Sequence, residues 1–202
     1  MKVILQSQFL CSYYWHAALE VQKEIKDHQL PRSLYFSITA LILWQCTLES
    51  YINFVIEKHG KGACRFQRDN GKTLRLDEAS IKDKWIHLPL AVSGSNFKLN
   101  GDPFIHFAKL VELRNALVHL KPEKLNFEKD APDGTTTIGD LKKWIGSGDY
   151  LEGTIFGEIR KYSLDGSAIV RAMIEELHRM LDTPKPRFLD GSEAVIQVKI
   201  KK

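Results

Sequence analysis

In the stretch ELRNALVHLKPE, residues 112–123, three side chains combine the means to hold an anion and move a proton: Arg114, Asn115 and His119. Arginine is a permanently charged forked donor that matches a phosphate group. Histidine is the side chain whose ordinary pKa lies closest to neutrality. At about 100° per residue around a helix, Phe107, Leu110, Val111, Leu117 and Val118 fall within roughly 60° of Arg114. The guanidinium therefore sits mid-arc on an apolar face, where an unpaired charge costs on the order of several kcal/mol. It requires a carboxylate, a second chain or a phosphate. Glu49, on a neighbouring helix, is the acidic candidate, and an arginine can also snorkel to water. Asn115 and His119 lie one turn apart and can address the same spot. His119 falls at the helix C-terminus, where the macrodipole favours its protonated form. General acid–base work beside an anion-stabilising cation is the chemistry this set can do.

The elements that position these residues read as helical. The helix carrying Arg114 is expected to open with Asp102 as N-cap and Pro103 at its first position. Pro122 disfavours helical geometry at Lys121, which places the end near His119 or Leu120. Before it come a helix from about Gln8 to His28, ended by Pro31, and a helix from Arg32 or Ser33 to about Lys58, stopped at Gly60. The second of these is apolar nearly all round and is the expected central helix. DEASIKDKWIHLPLAV suggests a short helix ending before Pro89, and DGSAIVRAMIEELHRMLDT a further long one. From about 126 to 165 the pattern breaks up among Gly, Thr and Asp, as in an irregular insertion. The tail EAVIQVKIKK alternates like a half-exposed strand, with the N-terminal KVIL as a pairing candidate. The expected fold is all-α, an antiparallel bundle of about four to five helices, forming one domain over 1–185 with a tail at 186–202.

At 202 residues, 44% hydrophobic and 27% charged, the chain is expected to bury a single sizeable core. Its net charge of +4 is modest but unevenly spread. Residues 57–76 hold Lys58, Lys61, Arg65, Arg68, Lys72 and Arg75 against only Glu57 and Asp69, an excess equal to that of the whole chain. This segment reads as a solvated basic loop or as an electrostatic track for a phosphate backbone. Cys11, Cys46 and Cys64 have neither even number nor CxxC spacing, which points to a reducing compartment. No signal peptide is expected, and the uncharged run 34–48 falls short of the roughly 20 residues that span a bilayer, so a cytoplasmic location without membrane attachment is expected. No metal or other cofactor is expected. Glu175 and His178 form one Glu-x-x-His pair where a di-iron bundle needs two, and NGKT at 70–73 lacks the preceding glycine of a phosphate-binding loop.

Arg114, a polar residue directly after it, and His119 after four intervening residues resemble the signature of the HEPN domains. The similarity extends to LESYINFVIEKHG, SIKDKWIHLPL and LVELRNALVHLKPE, in the order of one prokaryotic branch of that family, over about half of the chain. The resemblance implies a HEPN-like helical bundle, a homodimer with its cleft at the interface, and a metal-independent endoribonuclease, with a toxin or phage-defence role and an antitoxin or defence-system partner. RNA would be cleaved by attack of a ribose 2′-hydroxyl on the adjacent phosphorus, giving 2′,3′-cyclic phosphate ends. His119 would be the acid or base, Arg114 the stabiliser of phosphoryl charge, and Asn115 would orient His119 or hold a phosphate oxygen. Lys121 at the rim, with Lys61, Arg65, Arg68 and Lys72 of the basic segment, would guide single-stranded or loop RNA. Other members only bind nucleotides or RNA or serve in assembly, so a non-catalytic module stands as the alternative. Arg171 and His178, six residues apart, meet the bare spacing too. With Ala172 after the arginine and a place on the polar face, they read as solvated surface.

Overall fold

The structure, a computed structural model, describes residues 7–59, 65–67, 71–119, 130–147 and 151–190. It is mostly helical: α1 (Ser7–Asp27), α2 (Arg32–His59), α3 (Ile81–Ser93), α4 (Phe104–Val118), α5 (Ile138–Ser147) and α6 (Ile155–Leu181), with one small sheet of β1 (Arg65–Gln67) and β2 (Thr73–Arg75). Local chemistry sets several boundaries. Ser80 caps α3 by accepting the Asp83 N–H, and Gly94 closes it at φ +71°, where a side chain would be strained. Thr154 caps α6 in the same manner through the Gly157 N–H.

The bundle is organised around α2, whose residues Leu41, Trp44, Leu48, Tyr51, Ile52 and Ile56 are all buried. α1 folds back on α2 after a short turn, pairing Trp15 with Trp44 edge to face at 5.3 Å. α6 runs parallel to α2: Ser163 donates to Ser37 O at 2.6 Å near one end, and Tyr51 bonds His178 near the other. This corrects the expectation of a wholly antiparallel bundle. α4 is antiparallel to α6, with His106 beside Tyr162 and Lys109 paired to Glu158 at 3.1 Å. A 3-10 turn at Arg187–Asp190 brings Phe188 against both Trp15 and Tyr51.

Other sequence expectations also change. α3 continues through Pro89 instead of ending before it. A proline removes one backbone bond, and burial of Leu88 and Pro89 against the core holds the next turn in place. α4 has Pro103 as N-cap with no side-chain cap, because Asp102 pairs with His106 at 3.1 Å. The basic segment contains a hairpin in the register Arg65↔Arg75, Phe66↔Leu74, Gln67↔Thr73. Within the expected insertion, 138–147 is helical and α6 starts at Ile155, ten residues before the expected start of the last helix. The expected C-terminal strand (193–202) and its partner KVIL lie outside the described residues.

Gly157 disguised the start of α6, and it and Gly166 are both there for close approach. A Cβ on Gly157 would lie 2.3 Å from Leu151 O, and one on Gly166 would lie 2.1 Å from Trp44 Cδ1. Trp44 is wholly buried and donates Nε1–H to Ser163 O at 3.1 Å, one turn before Gly166. The indole thus fills the notch that the missing side chain leaves. Gly166→Ala should destabilise the fold by about 1–3 kcal/mol through overpacking, although alanine is the better helix former by about 1 kcal/mol. Urea denaturation followed by Trp fluorescence measures this, and a variant as stable as the parent would disprove the packing account.

Candidate functional site

Where α4 crosses α2, Arg114 lies at the level of Cys46. The Cys46 thiol senses both neighbours: burial raises its pKa, the Glu49 carboxylate raises it further, and the Arg114 guanidinium pulls it down. Arg114 is half-buried, as its place among Phe107, Leu110 and Val111 requires, since those three are buried. Its Nη1 donates to Asn115 Oδ1 at 3.1 Å. Among the described residues no ion pair reaches it, Glu49 included. The expected Arg114–Glu49 pair is therefore corrected. Glu49 is exposed on α2, where a hydrated carboxylate gains little from pairing. Asn115, expected beside His119 or a phosphate, accepts from Arg114 and so fixes the fork.

His119 is the C-cap of α4, its N–H bonded to Asn115 O at 3.1 Å and its side chain exposed. The end of α4 carries apolar surface out of the core with it. Val118 is 60% exposed, and Ile42, one turn before Cys46 on α2, is 42% exposed. Arg114 and Asn115, bonded to each other, thus lie near the end of α4, which His119 caps at an open, partly apolar edge of the bundle.

Of the cations expected to guide a strand, Arg65 and Lys72 are exposed at the hairpin. Lys61, Arg68 and Lys121 lie outside the described residues. Arg75, across the ladder from Arg65, is engaged by Asp77, with Nε to Oδ1 at 3.0 Å. The hairpin is fixed to α3 by Phe66, stacked on His87 at 4.2 Å.

One further cation, absent from the sequence expectations, is Lys84 on α3. It is 6% exposed and donates Nζ–H to Asn53 Oδ1 at 2.8 Å. The signal that marks Arg114 marks it too: around the helix, Ile81 and Leu88 fall within roughly 60° of Lys84.

The second Arg/His match is not solvated surface. His178 is half-buried between α2 and α6, with the Tyr51 hydroxyl at Nε2 and Thr183 Oγ1 at 2.7 Å from Nδ1. Arg171 donates to Leu189 O, lies over the Trp15 ring at 5.8 Å, and pairs with Asp190 at 3.6 Å. Both hold the fold together and are not aimed at a ligand. Tertiary packing created this difference, because the 3-10 turn that meets Arg171 comes from beyond α6 and the Tyr51 that meets His178 comes from α2.

No protein-family model matches the chain, and neither a curated protein nor a solved structure matches it. The class that fold and site define is a mostly helical protein with a half-buried and a buried cation and, at the end of the helix carrying the first, an exposed histidine. Among the described residues no helix is long and apolar enough to cross a membrane, and no group of three or more His, Cys, Asp or Glu could hold a metal ion.

Burial, foremost, and the charge of Lys58 depress the His178 pKa, against the opposing backbone contact with Thr183. The unfolded chain therefore takes up the proton before the native state does. Stability from this site is complete above the unfolded value of about 6.5 and falls as pH drops through it toward the depressed native value. The urea midpoint should fall between pH 8 and pH 5.5, and His178→Gln should shrink the difference by removing the titrating group. An equal pH dependence in both proteins would refute the His178 assignment.

Proposed function

We propose that the chain is a HEPN-like, metal-independent endoribonuclease acting on single-stranded or loop RNA, with Arg114 and His119 as its catalytic residues. The observation that carries this reading is the state of Arg114. It is a half-buried guanidinium with one neutral partner, no ion pair among the described residues, and an exposed histidine five residues later at the end of its own helix. A charge removed from water in this way is a ready counter-ion for a phosphate.

In the proposed step the ribose 2′-oxygen bonds to the adjacent phosphorus while the P–O5′ bond breaks, leaving a 2′,3′-cyclic phosphate and a 5′-hydroxyl. The 2′-hydroxyl proton goes to a base and the 5′-oxygen receives one from an acid. His119 serves one of these roles, and its exposure gives substrate direct access. Arg114 faces the charge that builds on the non-bridging oxygens, held in position by Asn115. DNA lacks the nucleophile and is left intact.

The exposed Ile42 and Val118 beside the site support a homodimer in which a second copy covers this edge and brings the second histidine. An antitoxin or other defence-system partner belongs to the same proposal.

The test is incubation with mixed cellular RNA in EDTA. The parent should generate fragments with 2′,3′-cyclic phosphate ends. Loss of one proton-transfer group should slow cleavage by about 10²–10⁴-fold in His119→Ala while RNA binding is largely kept, whereas Arg114→Ala should lose both. Intact RNA with the folded parent, together with equal loss of binding in the two variants, would leave a non-catalytic RNA- or nucleotide-binding module.

A further inference from the structure

Lys84 poses the same physical problem as Arg114 in sharper form. Lysine is almost never fully buried without an opposite charge, yet Lys84 is 6% exposed and its only partner among the described residues is the neutral Asn53 amide. A single hydrogen bond to an amide does not offset removal of an ammonium from water. Two of its three N–H donors have no acceptor among the described residues.

Its place relative to Arg114 follows from two helices independently. On α2, Asn53 and Cys46 are seven residues apart on one face, Asn53 holding Lys84 and Cys46 sensing Arg114. On α4, Phe107 and Arg114 are seven residues apart on one face, and Phe107 packs on Trp85, the residue after Lys84, at 5.8 Å. Both offsets are two turns, or about 10 Å along the axis. The two cations thus stand along one face of α2, Lys84 from α3 and Arg114 from α4, too far apart for one phosphate and suited to two phosphates of one strand. On α3, His87 follows Lys84 by one turn and stacks on Phe66, the hairpin residue next to Arg65. Lys84 therefore stands between the basic hairpin and the Arg114 site.

We infer that Lys84 holds a second backbone phosphate of the RNA strand whose scissile phosphate lies at Arg114, an inference that rests on the RNA reading of that site. Asn53 orients the ammonium without neutralising it, as Asn115 does for the guanidinium. The contact reads charge alone, so it is independent of base sequence.

Binding of a fluorescein-labelled 20-nucleotide single-stranded RNA to the full chain tests this across a salt series, in a His119→Ala host that leaves the probe uncut. Lys84→Met should reduce the slope of log K against log[salt] by about 0.7, the value of one single-strand phosphate contact, which is about 5-fold in affinity at 0.1 M salt relative to 1 M. Lys84→Arg should retain most of the slope. Tm should hold or rise in Lys84→Met, since an apolar residue relieves the buried charge. Should the Met variant fail to fold, Lys84→Gln gives the same comparison. An unchanged slope in Lys84→Met overturns the inference, whether or not Tm falls. If Arg114→Ala still abolishes binding in that case, the site reading survives and Lys84 alone is excluded. Absence of RNA binding by both host and parent overturns the two together.

Discussion

Trp44 and Gly166 are the contact on which the rest of the bundle depends. A fully buried indole with its N–H bonded to a backbone carbonyl of α6 requires the two helices to approach until no Cβ fits between them. Ser163 tightens the same junction by donating to Ser37 O across the interface and to Ile159 O within its own helix, both at 2.6 Å. With α6 held there and α1 stacked on the other side through Trp15, α2 has one stripe left for α3, α4 and solvent. Tyr35, Thr39, Ile42, Cys46, Glu49 and Asn53 follow that stripe at alternating spacings of four and three residues, and all but the half-buried Cys46 are exposed. The candidate site is built along it.

Two cations flank this stripe, and the same economy applies to both. Removing a charge from water is costly, and a carboxylate partner would recover the cost at the expense of the charge's reach. Asn115 and Asn53 instead supply one neutral acceptor each, which restricts geometry and leaves the positive potential open to an anion. Elsewhere in the molecule, cations meet acids in the ordinary way: Lys109 sits between Glu112 and Glu158, and Arg179 forks onto Glu176. The contrast lies within one chain and one solvent, so it does not come from the supply of carboxylates.

The repeated arginine–histidine spacing shows how little spacing alone decides. In α4 the histidine ends its helix at the surface and the arginine is left half-covered. In α6 the histidine shares a hydrogen bond with a buried tyrosine and the arginine is clamped by a carbonyl, an indole face and Asp190. One pair keeps donors available, and in the other Arg171 holds the 187–190 turn while His178 ties α6 to α2.

The number and order of the main helices, their apolar faces and the anomalous Arg114 were all legible in the sequence, because helical periodicity is a local property and a charge within an apolar arc is visible without coordinates. Lys84 was legible by the same rule in IKDKWIHL, as a lysine flanked at helical spacing by Ile81 and Leu88. Gly157 misled the reading of 155–164, since a glycine that makes room for the carbonyl of Leu151 looks locally like one that makes a turn. Pro89 misled likewise, its cost being offset by burial that only the packed neighbours supply. What tertiary structure alone decided was which charges are compensated. Whether Glu49 reaches Arg114, or Tyr51 reaches His178, depends on distances between side chains 65 and 127 residues apart in the chain, and no local pattern encodes them.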